Sequence, residues 1–142
     1  MKPMREGQLR DDLVLVNVDV NGLKGVNDSL GHDAGDEIIR ATADCMVSVF
    51  GGMGRIYRVG GDEFAAILYT SEDFEQYRGR FLEMVSEWRG SLVDKLSVAV
   101  GYVRRCDYPD KNMAEIEKLG DELMYMCKKE YYAYAGVDRR RH

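Results

Sequence analysis

Two short apolar runs, separated by a pair of glycines and a pair of acids, constrain the fold of this chain most strongly. The runs are Arg55 to Val59 and Phe64 to Tyr69, and they flank the sequence Gly60-Gly61-Asp62-Glu63. Each run has the length of a β-strand, and glycine accepts the positive φ of tight turns, so the segment predicts a β-hairpin. A hairpin commits the chain to a sheet that contains antiparallel strands.

The segments on either side of the hairpin alternate between strand and helix patterns. Strands are predicted where β-branched apolar residues cluster, and helices where apolar residues recur at steps of three and four. Around the hairpin, the predicted elements are strand Leu13 to Asp19, helix Asp33 to Phe50, helix Glu72 to Arg89, strand Leu96 to Val103 and helix Met113 to Tyr132. The order β-α-β-β-α-β-α predicts an α+β fold of the split βαβ kind, with helices packed on one face of the sheet.

Length and charge exclude several classes of protein. The chain has 142 residues, of which 45% are hydrophobic and 32% charged, as expected for one globular domain. We expect a core over residues 13–132, an N-terminal extension over 1–12 and a C-terminal tail over 133–142. The net charge of −5 argues against nonspecific binding to nucleic acid. The apolar runs are all shorter than the roughly 20 residues of a membrane span, and residues 1–12 lack the apolar region of a signal peptide.

The cysteines give no sign of a metal site. Cys45, Cys106 and Cys127 are scattered along the sequence and do not show the spacing of metal ligands. We expect them to be buried free thiols in a reducing compartment, which predicts a cytoplasmic location.

Polar residues cluster where the first predicted strand ends. Asp19 and Asn21 are two residues apart, so they project to the same side if the strand extends that far. Gly22 and Gly25 allow the backbone to present N–H groups to an anion, and Lys24 adds a positive charge. A carboxylate for a cation, with amides and a lysine for phosphate, is what a metal-bound nucleotide requires. Taken alone, these residues are equally well explained as a loop with polar ends.

Asn27 and Asp36 carry the amide and carboxylate groups that can hydrogen-bond to a guanine base. A carboxylate can accept hydrogen bonds from the N1–H and the exocyclic amine of guanine, and an amide can match another edge. Asp36 also has a simpler explanation, because the helix dipole favours an acid near a helix N-terminus. For a single Asp at a helix start, that explanation usually holds.

Four motifs in this order resemble the GGDEF domain of diguanylate cyclases, which condense two GTP molecules into cyclic di-GMP. The motifs are DVNGLKGVND (Asp19 to Asp28), GHDAGD (Gly31 to Asp36), GGDEF (Gly60 to Phe64) and DELMYMCK (Asp121 to Lys128). The resemblance covers Leu13 to Lys128, nearly the whole chain. It implies a sheet like that of nucleotidyl cyclases and the polymerase palm, which agrees with the predicted order of elements.

The resemblance implies a metal site for Mg²⁺, with Mn²⁺ as a possible substitute, because both ions take oxygen ligands. Its ligands would be Asp19, the backbone carbonyl of Val20 and Asp62, with Glu63 supporting the site. Asp62 or Glu63 would help to remove the proton from the attacking 3′-hydroxyl, and the sequence leaves open which of the two does so.

The resemblance also implies a GTP site and partners. Guanine would be read by Asn27 and Asp36, the triphosphate would be held by Lys24, Lys128 and the amides of Gly22 and Leu23, and the nucleotide would lie against Gly60 and Gly61. Each domain would hold one GTP, so the active form would be a two-fold homodimer. A sensory domain fused upstream would supply the signal.

Four departures from the family pattern leave a second hypothesis open. Residues 1–12 lack the family's D-x-LTGL-x-NR segment, and Tyr132 stands near the place of an arginine that meets the phosphates. Leu23 replaces the usual phenylalanine, and Gly51 to Gly54 replaces the Arg-x-x-Asp motif of product inhibition. The second hypothesis is a GGDEF module that binds GTP or dimerises and regulates a fused domain without turnover. A mixed adenine–guanine product is a weaker third possibility, against which Asp36 speaks.

Overall fold

The computed structural model describes residues 10 to 134, except for the side chains of residues 127, 128 and 130 to 134. Four strands and four α-helices are interspersed along the described chain. They are β1 (Leu13–Val20), α1 (Leu23–Leu30), α2 (His32–Phe50), β2 (Gly54–Arg58), β3 (Glu63–Tyr69), α3 (Phe74–Glu87), β4 (Val98–Arg104) and α4 (Met113–Tyr134), with a short 3-10 turn (Arg105–Asp107) after β4.

The four strands form one sheet in the order β2-β3-β1-β4. Neighbouring strands are antiparallel throughout this sheet. Strands β1 and β2 therefore run in the same direction with β3 between them, which confirms the predicted α+β class and the split βαβ arrangement. The hairpin of β2 and β3 lies where the sequence predicts it.

The central strand β1 is buried on both of its faces. Its even-numbered residues, Val14 to Val20, pack in a core with residues of α2 and α3. Its residues Leu13 and Leu15 pack on the opposite face with Val103 of β4 and Ile116 of α4. The prediction that the helices pack on one face was therefore wrong. The sequence of β1 is apolar at nearly every position rather than at alternate positions, which is typical of a strand covered on both sides.

Residues 23 to 30 form a helix that the sequence pattern did not predict. These residues were expected to be a loop, but they form α1, and Leu23 and Val26 pack against the larger core. Gly25 and Asn27 have low helix propensity, and the segment is only eight residues long, so its helical pattern is weak in the sequence. The main core, rather than local propensity, stabilises this helix.

The thiols are not all buried. Cys45 is buried in α2, and burial raises the pKa of its thiol, whereas Cys106 is exposed, so the prediction was wrong for Cys106. The side chain of Cys127 lies outside the described residues. Within the described residues, no helix has the length and the apolar character that crossing a membrane requires.

Candidate functional site

The residues that carry the candidate carboxylates are neighbours in the backbone pairing of β1 and β3, at the edge of the sheet where β1 ends and β3 begins. Asp19 lies opposite Glu63 in the antiparallel register of β1 and β3. The backbone N–H of Val20 donates to the backbone oxygen of Asp62 at 2.8 Å, which extends this pairing by one residue. The structure thus brings Asp19, Asp62 and Glu63 together from two distant parts of the sequence.

The turn between β2 and β3 is held by its own backbone and by one arginine. The N–H groups of Val59 and Gly60 donate to the backbone oxygen of Glu63, at 2.8 and 3.2 Å. Arg58 donates from Nε to the carbonyl of Gly60 at 3.1 Å and from Nη2 to the carbonyl of Gly61 at 2.7 Å. These charge-assisted bonds fix the shape of the turn. Sequence reasoning did not single out Arg58, because nothing in the motif shows where its guanidinium points.

Gly60 and Gly61 have a different role from the one predicted. Neither has a positive φ, since the connection between β2 and β3 spans residues 59–62 rather than a tight two-residue turn. The expectation that they supply positive φ was therefore wrong. A Cβ added to either glycine would meet no atom within 4 Å. The space beside the turn is open, so a ligand can approach its backbone closely.

The corner between β1 and α1 presents backbone N–H groups. Gly22 has a φ of 72° and precedes α1, whose first helical bond runs from the N–H of Val26 to the oxygen of Gly22 at 3.0 Å. The N–H groups of Leu23, Lys24 and Gly25 therefore have no acceptor within the helix. Such a helix start can bind an anion when other groups support it.

The side chain of Lys24 lies in the first turn of α1 and not in a loop. Its Nζ is 3.0 Å from the carboxylate of Asp28, one turn along the helix, and both side chains are largely exposed. Exposed pairs of this kind contribute at most about 1 kcal/mol to stability. A phosphate group can therefore compete with Asp28 for Lys24 at little cost.

Asn27 of α1 lies against the residue that precedes Asp36 in α2. A Cβ added to Gly35 would come within 1.9 Å of Oδ1 of Asn27 and within 3.2 Å of the side chain of Leu23. The absence of a side chain at position 35 therefore lets Asn27 pack against α2 one residue before Asp36. The sequence placed Asn27 and Asp36 in separate motifs, and the structure brings their two helices into contact.

Asp36 is exposed and is the fifth residue of α2, which begins at His32 after Gly31. The helix dipole acts mainly within the first turn, where Asp33 is the acidic residue. The helix-dipole explanation therefore fits Asp33 better than Asp36.

A cavity of about 470 Å³ opens next to Asp36, between α2 and the hairpin. Its walls are mostly apolar, with one carboxylate and two guanidinium groups. They are formed by Asp36, Ile39, Arg40, Ala43, Val47, Ile56, Arg58 and Phe64. Apolar walls with a few charged groups, in this range of volume, are typical of small-molecule sites.

Lys128 lies in α4, and its side chain is outside the described residues. The backbone position is informative, because α4 begins at the far end of the sheet and runs back along β4. A Cβ added to Gly101 would lie 2.9 Å from the backbone nitrogen of Met124, so helix and strand are in close contact there. Lys128 follows one turn later, on the way to the edge that carries Asp19.

The donor set at this edge fits a hard divalent cation. Within residues 10 to 134, no group of three or more His, Cys, Asp or Glu side chains is arranged to hold a metal ion. Mg²⁺ is usually held by one or two carboxylates together with substrate phosphates, rather than by a complete protein cage. Asp19 and Asp62, with the carbonyl of Val20, supply oxygen donors of that kind.

The comparisons with known proteins agree on one family. The family model described as "Diguanylate cyclase, GGDEF domain" matches residues 3–132. An "Uncharacterized membrane protein SSP1970" of Staphylococcus saprophyticus is 33% identical over 126 residues, which cover 83% of this chain and 35% of the relative. The "Probable diguanylate cyclase DgcI" of Escherichia coli is 32% identical over 112 residues, which cover 78% of this chain and 24% of the relative. The chain thus spans about a third of the first relative and a quarter of the second.

A solved structure agrees with the fold. The GGDEF domain of DgcB from Caulobacter crescentus, in complex with c-di-GMP, superposes with a TM-score of 0.71 at 26% identity. The superposition covers 83% of this chain and 72% of that chain.

Proposed function

The chain belongs to the GGDEF domain family, and from that membership we propose that it condenses two GTP molecules into cyclic di-GMP and pyrophosphate. The observation that carries the proposal is the register of β1 and β3, which pairs Asp19 with Glu63 and the backbone of Val20 with that of Asp62, beside an open glycine turn. The relative named "Probable diguanylate cyclase DgcI" and the c-di-GMP bound to DgcB support the same reaction.

Asn27 and Asp36 are proposed to select the guanine base. The packing of Asn27 against Gly35 places the amide one residue from Asp36 along α2, which supports this proposal. The carboxylate accepts from the N1–H and the exocyclic amine of guanine, and the amide pairs with a further polar atom of the base. The apolar wall that begins at Ile39 lines the cavity beside Asp36.

The Gly35→Ala variant is expected to raise the KM for GTP about tenfold, because the new methyl group occupies the place of the Asn27 amide and one lost buried polar contact is worth about that factor. The measurement is initial rate against GTP concentration. Gly79→Ala is the matched control, since a Cβ on that helical glycine meets nothing within 4 Å. An unchanged KM in Gly35→Ala would remove Asn27 from the base site.

The triphosphate is proposed to lie along the start of α1, between the glycine turn and the carboxylate edge. The N–H groups of Leu23 and Lys24 and the backbone at Gly22 face this region as a helix start, and Lys24 and Lys128 add positive charge. Asp19, the carbonyl of Val20 and Asp62 would hold Mg²⁺, or Mn²⁺ in its place, with Glu63 in support. When bound, the metal ion neutralises phosphate charge and makes the 3′-hydroxyl more acidic.

One acidic side chain is proposed to receive the proton of the attacking 3′-hydroxyl. Asp62 and Glu63 are adjacent at the hairpin and both are half-buried, and either carboxylate can serve in this proposal. The hydroxyl oxygen then forms a bond to the α-phosphorus of the second GTP, and pyrophosphate leaves in line.

Cyclic product requires two domains, because each is proposed to hold one GTP whose 3′-hydroxyl attacks the other. We therefore propose a two-fold homodimer with the two sites face to face. Since GTP is the substrate, we place the domain on the cytoplasmic side, under the control of a sensory domain elsewhere in a longer protein. A relative named as a membrane protein is compatible with this placement.

The test is the rate of pyrophosphate release from GTP with Mg²⁺, measured over a wide range of protein concentration. A homodimeric cyclase predicts a rate per chain that rises with concentration and then levels off. Release of inorganic phosphate instead of pyrophosphate would contradict the proposed reaction.

A binding module without turnover is the second candidate. Tyr132 stands near the position of a phosphate-binding arginine in the family pattern, and a neutral phenol would hold the triphosphate less well. This candidate predicts that GTP binds while no pyrophosphate forms at any protein concentration.

A further inference from the structure

One carboxylate of α2 accepts three backbone hydrogen bonds from the segment between α3 and β4, residues 88 to 97; we call this segment the strap. Oε2 of Glu37 accepts a hydrogen bond from the backbone N–H of Ser91 at 2.8 Å. Oε1 of Glu37 accepts from the N–H groups of Leu92 and Val93, both at 2.9 Å. The bonds from Ser91 and Val93, followed by that from Leu92, lower the pKa of Glu37, so the carboxylate is charged at neutral pH.

The strap is closed tightly around this carboxylate. The N–H of Gly90 donates to the oxygen of Val93 at 3.0 Å, which turns the chain back on itself. A Cβ added to Gly90 would lie 2.3 Å from the ring of Trp88 and 2.6 Å from Oε1 of Glu37. Val93 and Leu96 of the strap are buried in the larger core, so apolar contacts hold the strap in addition to the bonds at Glu37.

The far end of the strap holds the corner between β1 and α1. The backbone N–H of Asn21 donates to the oxygen of Ser97 at 2.9 Å, and Nδ2 of Asn21 donates to Oγ of Ser97 at 3.0 Å. Asn21 is only 7% exposed, and its Oδ1 has no hydrogen-bond partner in the structure. Among the described residues, the hydrogen-bond partner of this amide is Ser97.

Asn21 occupies the position between the two proposed ligand-binding elements. On one side of it, Val20 is the last residue of β1 and follows Asp19. On the other side, Gly22 precedes the first turn of α1. A shift of Asn21 moves the proposed metal ligands and the phosphate-binding amides together.

We propose that Glu37 is a positioning residue, which through the strap and Ser97 fixes Asn21 and with it the metal and phosphate end of the site. The proposal rests on the proposed function, because it assigns the geometry of that same site. Glu37 touches neither substrate nor metal in this account. Its effect passes through two contacts, from α2 to the strap and from the strap to β1.

The base-reading end is expected to stay in place when the strap is released, although Glu37 follows Asp36 directly in the sequence. Helix α2 is anchored in the larger core by Ile38 and Ile39, so loss of the hydrogen bonds at Glu37 loosens the strap rather than the helix. Disturbance at position 37 should therefore affect metal and phosphate binding and leave base selection unchanged.

The experiment is a double-mutant cycle with Glu37→Gln and Ser97→Ala. The first change keeps the size of the side chain but removes the charge and one acceptor oxygen, and the second removes only the hydroxyl that accepts from Asn21. For each variant, the KM for GTP, the Mg²⁺ concentration at half-maximal activity and the preference for GTP over ATP are measured.

Each single variant is expected to raise the KM for GTP about tenfold and the Mg²⁺ concentration at half-maximal activity about fivefold. These factors are the usual size of coupling between two distant sites. The KM of the double variant should be about that of the more impaired single variant, since both changes act on the same path from Glu37 through Ser97 to Asn21. Base preference should stay at the wild-type value, and amide hydrogen exchange at Ser91, Leu92 and Val93 should speed up in Glu37→Gln.

Glu115→Gln is the matched control, because Oε1 of Glu115 also accepts a backbone N–H, from Asn112 at 2.9 Å. That cap starts α4 at the opposite end of the sheet, so its loss should lower the melting temperature without changing the KM or the Mg²⁺ requirement.

Unchanged KM and Mg²⁺ dependence in Glu37→Gln, with faster exchange in the strap, would overturn the proposal and leave Glu37 a structural cap. Effects of the two changes that simply multiply would also overturn it. If Glu37→Gln does not fold, Ser97→Ala alone decides, by the same measurements. If wild-type protein binds GTP without turnover, equilibrium affinities for GTP with Mg²⁺ replace the KM, and wild-type protein that binds no GTP overturns both proposals.

Discussion

The Asp62→Ala variant is expected to lose cyclic di-GMP formation by at least about a thousandfold, while the protein remains folded. The carboxylate is proposed to hold the metal ion at the reacting phosphates, and groups of this kind contribute several kcal/mol to the transition state. Asp62 lies in the connection between β2 and β3, and its backbone oxygen, which accepts from Val20, is retained in the variant. The measurement is the rate of product formation, with circular dichroism to verify folding.

Asp44→Ala is a suitable control for the Asp62 experiment, because Asp44 is an exposed acid of α2 that lies neither at the sheet edge nor along the cavity. It should retain wild-type activity. An Asp62→Ala protein with most of the wild-type rate would show that the metal is held elsewhere or is not required.

The Asp36→Ser variant is expected to reduce the preference for GTP over ATP by at least about a hundredfold. A carboxylate facing guanine accepts from two N–H donors in charge-assisted bonds, whereas adenine places a lone pair at N1. Sites with such polar matching reject the mismatched base by large factors, because a polar group would be left unpaired. The measurement is the affinity for GTP and for ATP in the wild type and in the variant, whose ratio is the base preference.

Asp33→Ser separates base reading from a helix-end effect. Asp33 is the acid in the first turn of α2, where the dipole acts, and serine at either position retains some capping ability. Asp33→Ser should keep the wild-type base preference. If Asp36→Ser also keeps it, Asp36 is not the guanine reader and base selection lies in other residues.

The sheet could be predicted from the sequence because its strands are compact apolar runs between clear turn signals. The hairpin and β1 needed only local pattern, and the order of elements then gave the split βαβ arrangement. Helix α1 was missed because Gly25 and Asn27 weaken a helix that depends on packing of Leu23 and Val26. The second core on the α4 side was also missed, although the nearly continuous apolar sequence of β1 pointed to it.

The carboxylate edge was predictable from family resemblance, and the sheet register supports its geometry through the pairing of Asp19 with Glu63. Contacts that depend on side-chain direction were not predictable. Asn27 meets Gly35 through the packing of two helices, and Glu37 reaches Ser91 across 54 positions of sequence. Neither contact has a local pattern, so only the folded arrangement reveals it.

Identification of the product formed from GTP and Mg²⁺ tests the central claim most directly. The chain is incubated at high protein concentration with Mg²⁺ and with GTP as the only nucleotide, and the products are separated and identified by mass. The account predicts cyclic di-GMP, with two pyrophosphates released per cyclic product, and its absence from the Asp62→Ala reaction. Bound but unconverted GTP at every protein concentration, or GDP and phosphate as products, would contradict it.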